Sequence, residues 1–447
     1  MKKILLILAL TSVINCSYAS YALEHKKDVF VVVTGLSTGE LIAPMLKGYG
    51  YDVVHVSSKI QQKLGCEANK YDYIANYYES DDINFLINQL KKHGNIKAII
   101  PGTDSGVALA EKLNYLLGLP YSNDYKLSDI RQNKFDQQEA LKNANVSSIN
   151  QYLAKELSEV KEWREKNDVK FPIVLKPVDS SSTDNVFICK DEEEVKIAFS
   201  KIISSVDKFK NKNQVVLCQE YIGGQEYMIN TVSWNKNHRI IELLKTNKKI
   251  INGRPLYDTS EVIEPNSSDF KLINSYLRDV YKALEINYGA AHAEVKVWKR
   301  NGKKVVTLIE LGARLGGIAS ASALQDAQGD SQVSVLVKSY VNPGSLNELP
   351  KLHLKKKVAA VYLINNAYTG NVIKDLDTLI LSELKTYHSL HFQYIKGSFL
   401  PKTTDLTSAP GYIYLVSDSE QEIQKDIKTI RQLENKIYAD LLGSNLK

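Results

Sequence analysis

Cysteine and histidine are scarce in this sequence, and their scarcity excludes several kinds of site. Four cysteines, none at zinc-ligand spacing, provide neither a disulfide framework nor a structural zinc site. Cys189 and Cys218 lie in apolar, strand-like runs and are expected to be buried thiols. Among only eight histidines no Ser-His-Asp or Cys-His constellation is evident, so nucleophilic hydrolysis through such a group is not indicated.

The sequence also lacks a basic arm, an internal repeat and a low-complexity linker. Its net charge of +6 is spread along the chain, and the densest lysine cluster, Lys351 to Lys357, is expected to be a solvated strand edge or loop rather than a nucleic-acid surface. With 447 residues, 44% hydrophobic and 24% charged, the chain is typical of a soluble globular protein of two or three domains that binds no nucleic acid.

No apolar run near the N-terminus is long enough to span a bilayer, but a shorter one predicts export. Lys2 and Lys3 precede the apolar run Ile4 to Leu10, and Ser17-Tyr18-Ala19 follows with small residues at cleavage spacing. We therefore predict a signal peptide at residues 1–19, a periplasmic or secreted location and no stable membrane anchor. A lipoprotein cut before Cys16 fits poorly because Asn15 stands where a tiny residue is needed. A buried or frayed N-terminal helix in a cytoplasmic protein is the other alternative.

Residues 25–125 read as a doubly wound α/β unit. Buried strands at 28–33, 52–56 and 96–100 alternate with helices at 40–48, 83–92 and 107–117, which predicts a Rossmann-like domain. The loop with Gly35 and Gly39 could bind a dinucleotide, but it lacks the G-x-G-x-x-G order and is interpreted as architectural.

The remaining residues predict an α+β organisation. A helix over Ser128 to Asn143 and strands within 171–311, interrupted by a helix from Asp269 to Glu285, indicate a central domain at 126–330 built on an antiparallel sheet. A small α+β cap is expected at 331–447, where strand-like runs at 357–364 and 412–416 precede a helix at 419–438.

Four charged residues are spaced through the strands of the predicted central domain. Lys176 ends the apolar run that begins at Phe171, Glu294 lies in Ala293-Glu294-Val295, and Glu310 is followed four residues later by Arg314. A nucleotide triphosphate with its metal ions needs cations on its phosphates and carboxylate oxygens on the metal. Each residue alone would by default be a surface charge, so the indication comes from the combination.

Taken with their neighbours, these segments resemble the ATP-grasp carboxylate–amine ligases, and most of all the bacilysin synthetase-like L-amino-acid ligases. The resemblance runs from about residue 28 to 440 and includes Pro101-Gly102-Thr103-Asp104-Ser105-Gly106. It implies an ATP-grasp fold and an ATP-dependent ligase that joins an amino acid carboxylate to an amine, expected to be a second amino acid. The implied route passes through an acyl phosphate and releases ADP and phosphate. A homodimer is also consistent with the resemblance. A carboxylase or purine-pathway activity, or an inactive ATP-binding protein, are the alternatives.

The resemblance assigns nucleotide-binding roles along the chain. It places Lys134 and Lys176 on the α- and β-phosphates, Glu220, Tyr221 and Ile222 at the adenine, and Glu226 on the ribose hydroxyls. Ser182 and Thr183 belong to the phosphate loop, where the family usually carries glycines.

The resemblance also implies the reaction centre. Glu294 and Glu310 would hold Mg²⁺, for which Mn²⁺ is expected to substitute. Arg314 would bind the transferred phosphate or the tetrahedral intermediate, and Lys176 is the second catalytic residue. Many family members carry asparagine two residues after the second acid, where this chain has Gly312. His292, two residues before Glu294, is expected to be a packing histidine more than a supporting one. The weaker substrate assignments are Asp104 and Ser105 from the N-terminal domain, Gly317 by close backbone approach, and Ile318 in the acceptor pocket. Residues 252–258 are expected to form a loop over the site, from which Asp258 or Glu261 would bind the substrate ammonium.

Overall fold

The computed structural model describes residues 27–178, 185–207, 210–251, 254–317, 321–350 and 352–443. The predicted signal peptide and three predicted site residues, Ser182, Thr183 and Ile318, lie outside these ranges. In the described part of the chain, no helix has both the length and the apolar character that a membrane span requires.

The first unit is a four-stranded parallel sheet with the strand order β3-β2-β1-β4, as the alternating pattern predicted. Its elements are β1 (Asp28–Val33), α1 (Ile42–Gly48), β2 (Asp52–Ser57), α2 (Lys59–Leu64), β3 (Ala75–Tyr78), α3 (Ile83–Leu90), β4 (Asn95–Pro101) and α4 (Val107–Leu116). The sequence reading missed α2 and β3, because β3 is a half-exposed edge strand without an apolar run. The loops after β1 and β4 leave the same edge of the sheet and enclose a crevice, the usual position for ligands in such sheets.

A small antiparallel sheet follows, with the order β5-β8-β6-β7. This part of the chain contains α5 (Lys134–Asn143), β5 (Gln151–Ala154), α6 (Leu157–Lys166), β6 (Ile173–Lys176), β7 (Phe187–Cys189), α7 (Glu192–Ser204) and β8 (Val216–Glu220). The helix predicted from Ser128 begins only at Lys134. The Asn133 side chain accepts hydrogen bonds from the N–H groups of Phe135 and Asp136 and so caps the helix at its first residue.

The largest sheet has eight antiparallel strands in the order β13-β12-β9-β10-β11-β14-β18-β16. Its strands and accompanying helices are β9 (Gln225–Trp234), β10 (Asn237–Ile251), β11 (Arg254–Val262), α8 (Ser268–Ala283), β12 (Gly289–Arg300), β13 (Lys303–Gly312), α9 (Ala321–Gln328), α10 (Gln332–Val341), α11 (Ser345–Glu348), β14 (Lys357–Tyr362), β16 (Tyr387–Phe392), β18 (Gly411–Ser417) and α12 (Glu420–Leu441). A two-stranded ribbon, β15 (Gly370–Asn371) with β17 (Phe399–Leu400), lies beside it. Because β11 pairs directly with β14, the sheet continues past the boundary predicted at residue 331.

One prediction about this sheet is wrong. Residues around 252–258 were expected to form a loop over the site, but Arg254–Val262 is a strand that pairs along its length with β10. Leu256 and Val262 are buried in it, so the apolar side chains favour a strand.

The parallel unit shares a hydrophobic core with the large sheet. Ile42 and Leu46 of α1 pack in one cluster with Val333 and Leu336 of α10 and with Val232 of β9. This shared core holds the loops after β1 and β4 against the face of the large sheet.

Candidate active site

A cavity of about 670 Å³ lies where the parallel unit, the small sheet and the large sheet meet. It brings together eleven of the predicted residues: Asp104, Lys134, Lys176, Glu220, Tyr221, Ile222, Glu226, Glu294, Glu310, Arg314 and Gly317. The lining does not include Ser105, Asp258 or Glu261.

Two lysines approach the cavity from different elements. Lys176 is the last residue of β6 and is 5% exposed, and Lys134 opens α5 with its Nζ 3.4 Å from Glu310 Oε2. Burial, opposed by Glu310 but reinforced by Lys134, lowers the pKa of Lys176 to about 8. A negatively charged ligand between the two ammonium groups would relieve their repulsion, so the pair suits phosphate oxygens.

The two predicted metal acids face each other across neighbouring strands. Glu294 of β12 is paired in register with Glu310 of β13, and a register irregularity follows immediately. Burial would raise the pKa of the Glu294 carboxyl, but the nearby His292 imidazole, the positive charge of Lys248 and the hydrogen bond from the Tyr257 hydroxyl lower it well below its usual range. Glu294 is therefore ionised, as a metal ligand must be.

The carboxylates of the cavity fit a Mg²⁺ ion that has few protein ligands. Within the described ranges, no group of three His, Cys, Asp or Glu side chains is arranged to hold a metal ion. Two carboxylates still suit Mg²⁺, which commonly binds through one or two carboxylates and completes its shell with water and substrate phosphates. The two carboxylates therefore suit a metal ion that binds together with a nucleotide, whose phosphates supply further ligands.

Arg314 is fixed by two hydrogen bonds just beyond the end of β13. Its Nη2 lies 2.8 Å from Oδ2 of Asp104, and its Nη1 donates to the Leu315 carbonyl over 2.8 Å. Burial alone would lower the pKa of Arg314, but the Asp104 carboxylate raises it, so the guanidinium is charged.

The predicted adenine segment follows β8 at the rim of the cavity. The Glu220 Oε1 accepts a hydrogen bond from the Asn150 N–H over 3.2 Å, which ties the segment to the start of β5. Ile222 is buried, whereas Tyr221 is partly exposed with the Lys296 ammonium 5.0 Å from its ring centroid. This gives an apolar wall beside backbone groups, which suits a flat base.

Glu226 is held between two lysines that sequence reasoning missed. Its carboxylate lies 2.6 Å from Lys248 Nζ and 4.0 Å from Lys296 Nζ. Strand alternation could have revealed Lys296, which shares a face with Glu294 two residues earlier. Lys248 belongs to β10, where it pairs with Tyr257 of β11, and only the pairing of strands brings it to the cavity.

Tyr257 is a third residue that sequence reasoning missed. Its hydroxyl donates to Glu294 Oε1 over 3.2 Å, and Lys248 Nζ lies 4.3 Å from its ring centroid. No sequence signal identified it, because its strand was interpreted as a loop.

His292 lines the cavity, although packing was the favoured expectation for it. Its Nε2 lies 3.7 Å from Glu294 Oε1, and its Nδ1 lies 2.7 Å from Asn230 Oδ1. Asn230 in turn donates to Glu242 over 2.6 Å, so a chain of buried polar groups holds the imidazole beside Glu294.

Asp258 and Glu261 do not line the cavity. Asp258 is the extra residue at the point where the pairing of β10 and β11 shifts register. Its carboxylate is paired with Arg431 and, over 2.8 Å, with Lys249 on the opposite face from Tyr257. Glu261 accepts a 3.4 Å hydrogen bond from Gln424 of α12. This placement argues against the prediction that either residue binds the substrate ammonium.

Comparison with known proteins gave concordant matches. A family model described as an ATP-grasp domain matches residues 169–322. Dapdiamide A synthase of Enterobacter agglomerans is 32% identical over 421 residues, which cover 93% of this chain and 97% of that protein. A D-alanine–D-alanine ligase of Fervidobacterium nodosum is 24% identical over 329 residues, which cover 72% of this chain and 93% of that protein.

Among solved structures, the L-amino acid ligase from Bacillus licheniformis superposes with a TM-score of 0.73 at 14% identity, covering 92% of this chain and 98% of that one. N5-carboxyaminoimidazole synthetase from Staphylococcus aureus gives a TM-score of 0.64 at 15% identity, covering 90% and 97%. Because the identities are only 14% and 15%, these two structural similarities show the fold alone.

Proposed function

This chain belongs to the ATP-grasp carboxylate–amine ligases, and from that membership we propose that it joins the carboxylate of one amino acid to the amine of a second. The observation that carries the proposal is the convergence of charged groups in one cavity: two lysines, two paired acids and a charged arginine, beside the segment predicted to bind adenine. The predicted family and ATP-grasp fold are confirmed by the comparisons.

The proposed reaction has two steps. A carboxylate oxygen of the first amino acid bonds to the γ-phosphorus of ATP as the bond to the bridging oxygen breaks, which gives an acyl phosphate and ADP. The deprotonated amine of the second amino acid then attacks the acyl carbon, and the carbon–oxygen bond to phosphate breaks to release phosphate and the amide. Enclosure of the cavity by three regions of the fold would protect the acyl phosphate from water.

The roles of individual residues are part of the proposal. Lys134 and Lys176 hold the α- and β-phosphates, and Glu226 accepts the ribose hydroxyls while Lys248 and Lys296 compensate its charge. Glu220, Tyr221 and Ile222 receive the adenine.

At the reaction centre, Glu294 and Glu310 would hold Mg²⁺ or Mn²⁺, which supplies positive charge to the transferring phosphoryl group when bound. The planar guanidinium of Arg314 binds the transferred phosphate, for which its charged donors are suited. The backbone at Gly317 approaches the substrates closely.

Amino-acid-dependent phosphate release tests the function. We expect ATP, Mg²⁺ and pooled amino acids to give release that stops when the amino acids are omitted, and Glu294→Gln with Glu310→Gln to abolish it. Glu264→Gln is the matched control, because Glu264 pairs with Lys357 away from the cavity.

Full turnover in the double variant, or no uptake of nucleotide in calorimetry, contradicts the proposal. ATP binding without turnover under any pool points instead to an inactive nucleotide-binding protein.

We also propose export after cleavage behind Ala19, to a compartment that contains ATP, such as a host cell. N-terminal sequencing of fractionated cells tests this, and an intact Met1 in the cytosol contradicts it.

A homodimer is also proposed. Light scattering of the purified chain tests it, and a purely monomeric mass would exclude it.

A further inference from the structure

The space beside Gly312 is filled by a side chain from another part of the fold. A Cβ built on Gly312 would lie 2.6 Å from Asp104 Oδ1, closer than real Cβ contacts come, and 3.3 Å from Arg314 Nε, a tight contact. That space contains the Asp104 carboxylate from the parallel unit.

The backbone that carries Asp104 is tightly fixed. The turn Asp104–Gly106 follows β4, and its first carbonyl accepts a 2.6 Å hydrogen bond from the Gln132 side chain. Two glycines press this turn onto the end of β1: a Cβ at Gly102 would lie 2.4 Å from the Thr34 carbonyl, and one at Gly106 would lie 2.5 Å from the Val33 carbonyl. The carboxylate is therefore presented from a rigid support.

Asp104 and Arg314 form an ionised pair. Burial would raise the pKa of the Asp104 carboxyl, but Arg314, with Lys134 and His292, lowers it below its usual value. The 2.8 Å contact to Nη2 and the bond from Nη1 to the Leu315 carbonyl together fix the plane of the guanidinium. An arginine has five donors in a fixed fork, so holding this plane also aims the donors that face the cavity.

We propose that Asp104 is a positioning residue that aims Arg314 at the transferred phosphate, and that Gly312 is required because it leaves room for the carboxylate. The inference rests on the proposed ligase function. It gives Asp104 a role in the chemical step, in place of the sequence-based expectation that it binds substrate. Small errors in the placement of a catalytic group can cost on the order of a hundredfold in rate.

The test is a double-substitution cycle in the full chain, measured by amino-acid-dependent phosphate release. Asp104→Asn should lower kcat by about tenfold or more, with KM for ATP and for amino acids within about twofold, because the lost interaction acts in the transition state. Gly312→Ala should lower kcat similarly, since its methyl group displaces the carboxylate. In an Asp104→Ala background, Gly312→Ala should cost nothing further.

Asp81→Asn is the matched control, because Asp81 is an exposed carboxylate of the same unit that pairs with Lys59 at the surface. Affinity for MgADP, measured by calorimetry, should be unchanged in every variant and shows that each is folded. An increase in the amino-acid KM with kcat unchanged would assign Asp104 to the substrate ammonium and overturn the inference. Equal costs of Gly312→Ala in both backgrounds, or no cost in the wild type, would overturn it as well.

Failure of the proposed function is recognised separately. If the wild type releases no phosphate with any amino acid pool, the ligase proposal fails. The contact between Asp104 and Gly312 is then tested by measuring the melting temperatures of the same variants. Gly312→Ala should then lower the melting temperature only while Asp104 is present. The same shift in both backgrounds would overturn the proposed contact.

Discussion

Tyr257 makes two contacts that orient the charges of the cavity, one to Glu294 through its hydroxyl and one to Lys248 through its ring. We predict that Tyr257→Phe lowers the affinity for Mn²⁺ in the presence of ADP about tenfold, because a hydrogen bond to a charged group contributes roughly 1.5 kcal/mol. Titration calorimetry measures the affinity.

The control for this prediction is Tyr362→Phe. Tyr362 is a neighbouring buried tyrosine, with ring centroids 5.1 Å apart, but its hydroxyl contacts Ser260 rather than an acid of the cavity. An equal loss of Mn²⁺ affinity in both variants would show that the effect is one of packing.

His55 makes stability depend on pH. Burial, opposed by Asn76, lowers its pKa from 6.5 to about 4, and its Nε2 accepts the Gly35 N–H over 3.2 Å. The unfolded state therefore binds the proton more readily, so the contribution is complete above pH 6.5 and is lost as the pH falls towards 4.

We predict that His55→Gln, which keeps an acceptor for Gly35, reduces this loss of unfolding free energy by roughly 2–3 kcal/mol. Urea unfolding at a series of pH values measures it. His238, whose pKa burial also lowers to about 4, should account for part of the remaining acid sensitivity, so an unchanged pH profile in the variant contradicts the assignment to His55.

The site residues that sequence reasoning found share one property, which is that local pattern marks them. Lys176 ends an apolar strand before proline, and Glu294 and Glu310 interrupt alternating strands. Lys248 and Tyr257 carry no such mark, because their position depends on how β10 and β11 pair and on the bulge at Asp258. Pairing register is a long-range property that a single sequence does not encode in any short window.

Among the elements, the strand-like runs at 357–364 and 412–416 were predicted closely as β14 and β18, while β11, β16 and several helix starts were not. The helix predicted from Ser128 is replaced before Asn133 by short 3₁₀ turns, since the Asn133 cap competes with continued helix. The missed helix α7 begins at an Asp191 cap within an acidic run that gave no clear apolar period. In both places a capping side chain determines the residue at which the helix begins, and composition alone does not show that residue.

A buried ion pair connects α4, the turn before α5 and the end of α8. Arg131 is fully buried, its Nε and Nη2 bond the Glu111 carboxylate of α4 over 2.9 and 2.7 Å, and its Nη1 bonds the Leu284 carbonyl after α8. We predict that Arg131→Met lowers the free energy of unfolding by about 3–5 kcal/mol, because it leaves Glu111 buried without its partner.

Urea unfolding measures this loss. Lys161→Ala serves for comparison, since Lys161 forms an exposed pair with Glu165 within α6 and should cost no more than about 0.5 kcal/mol. A loss in Arg131→Met as small as that in Lys161→Ala would show that the pair contributes little.

For the molecule as a whole, the pairing of β11 with β14 makes the C-terminal region part of the central sheet. Thr259, Ser260 and Glu261 pair there with β14, and α10 packs against both the sheet and α1. We predict that a chain truncated after residue 330 is insoluble or molten, because it exposes a strand edge and part of a core.

Near-ultraviolet circular dichroism and size-exclusion chromatography of the truncated chain measure the outcome. A soluble truncated chain with native tertiary signal would show that residues up to 330 fold on their own, as the sequence-based division into domains implies.

The glycines that press the loops after β1 and β4 together also determine where laboratory evolution of this chain can succeed. A Cβ at Gly39 would lie 2.5 Å from the Gly102 backbone, so almost any replacement there separates the loops and withdraws Asp104 from Arg314. Libraries randomised at positions 39, 102 and 106 should consist mainly of variants without ligase activity.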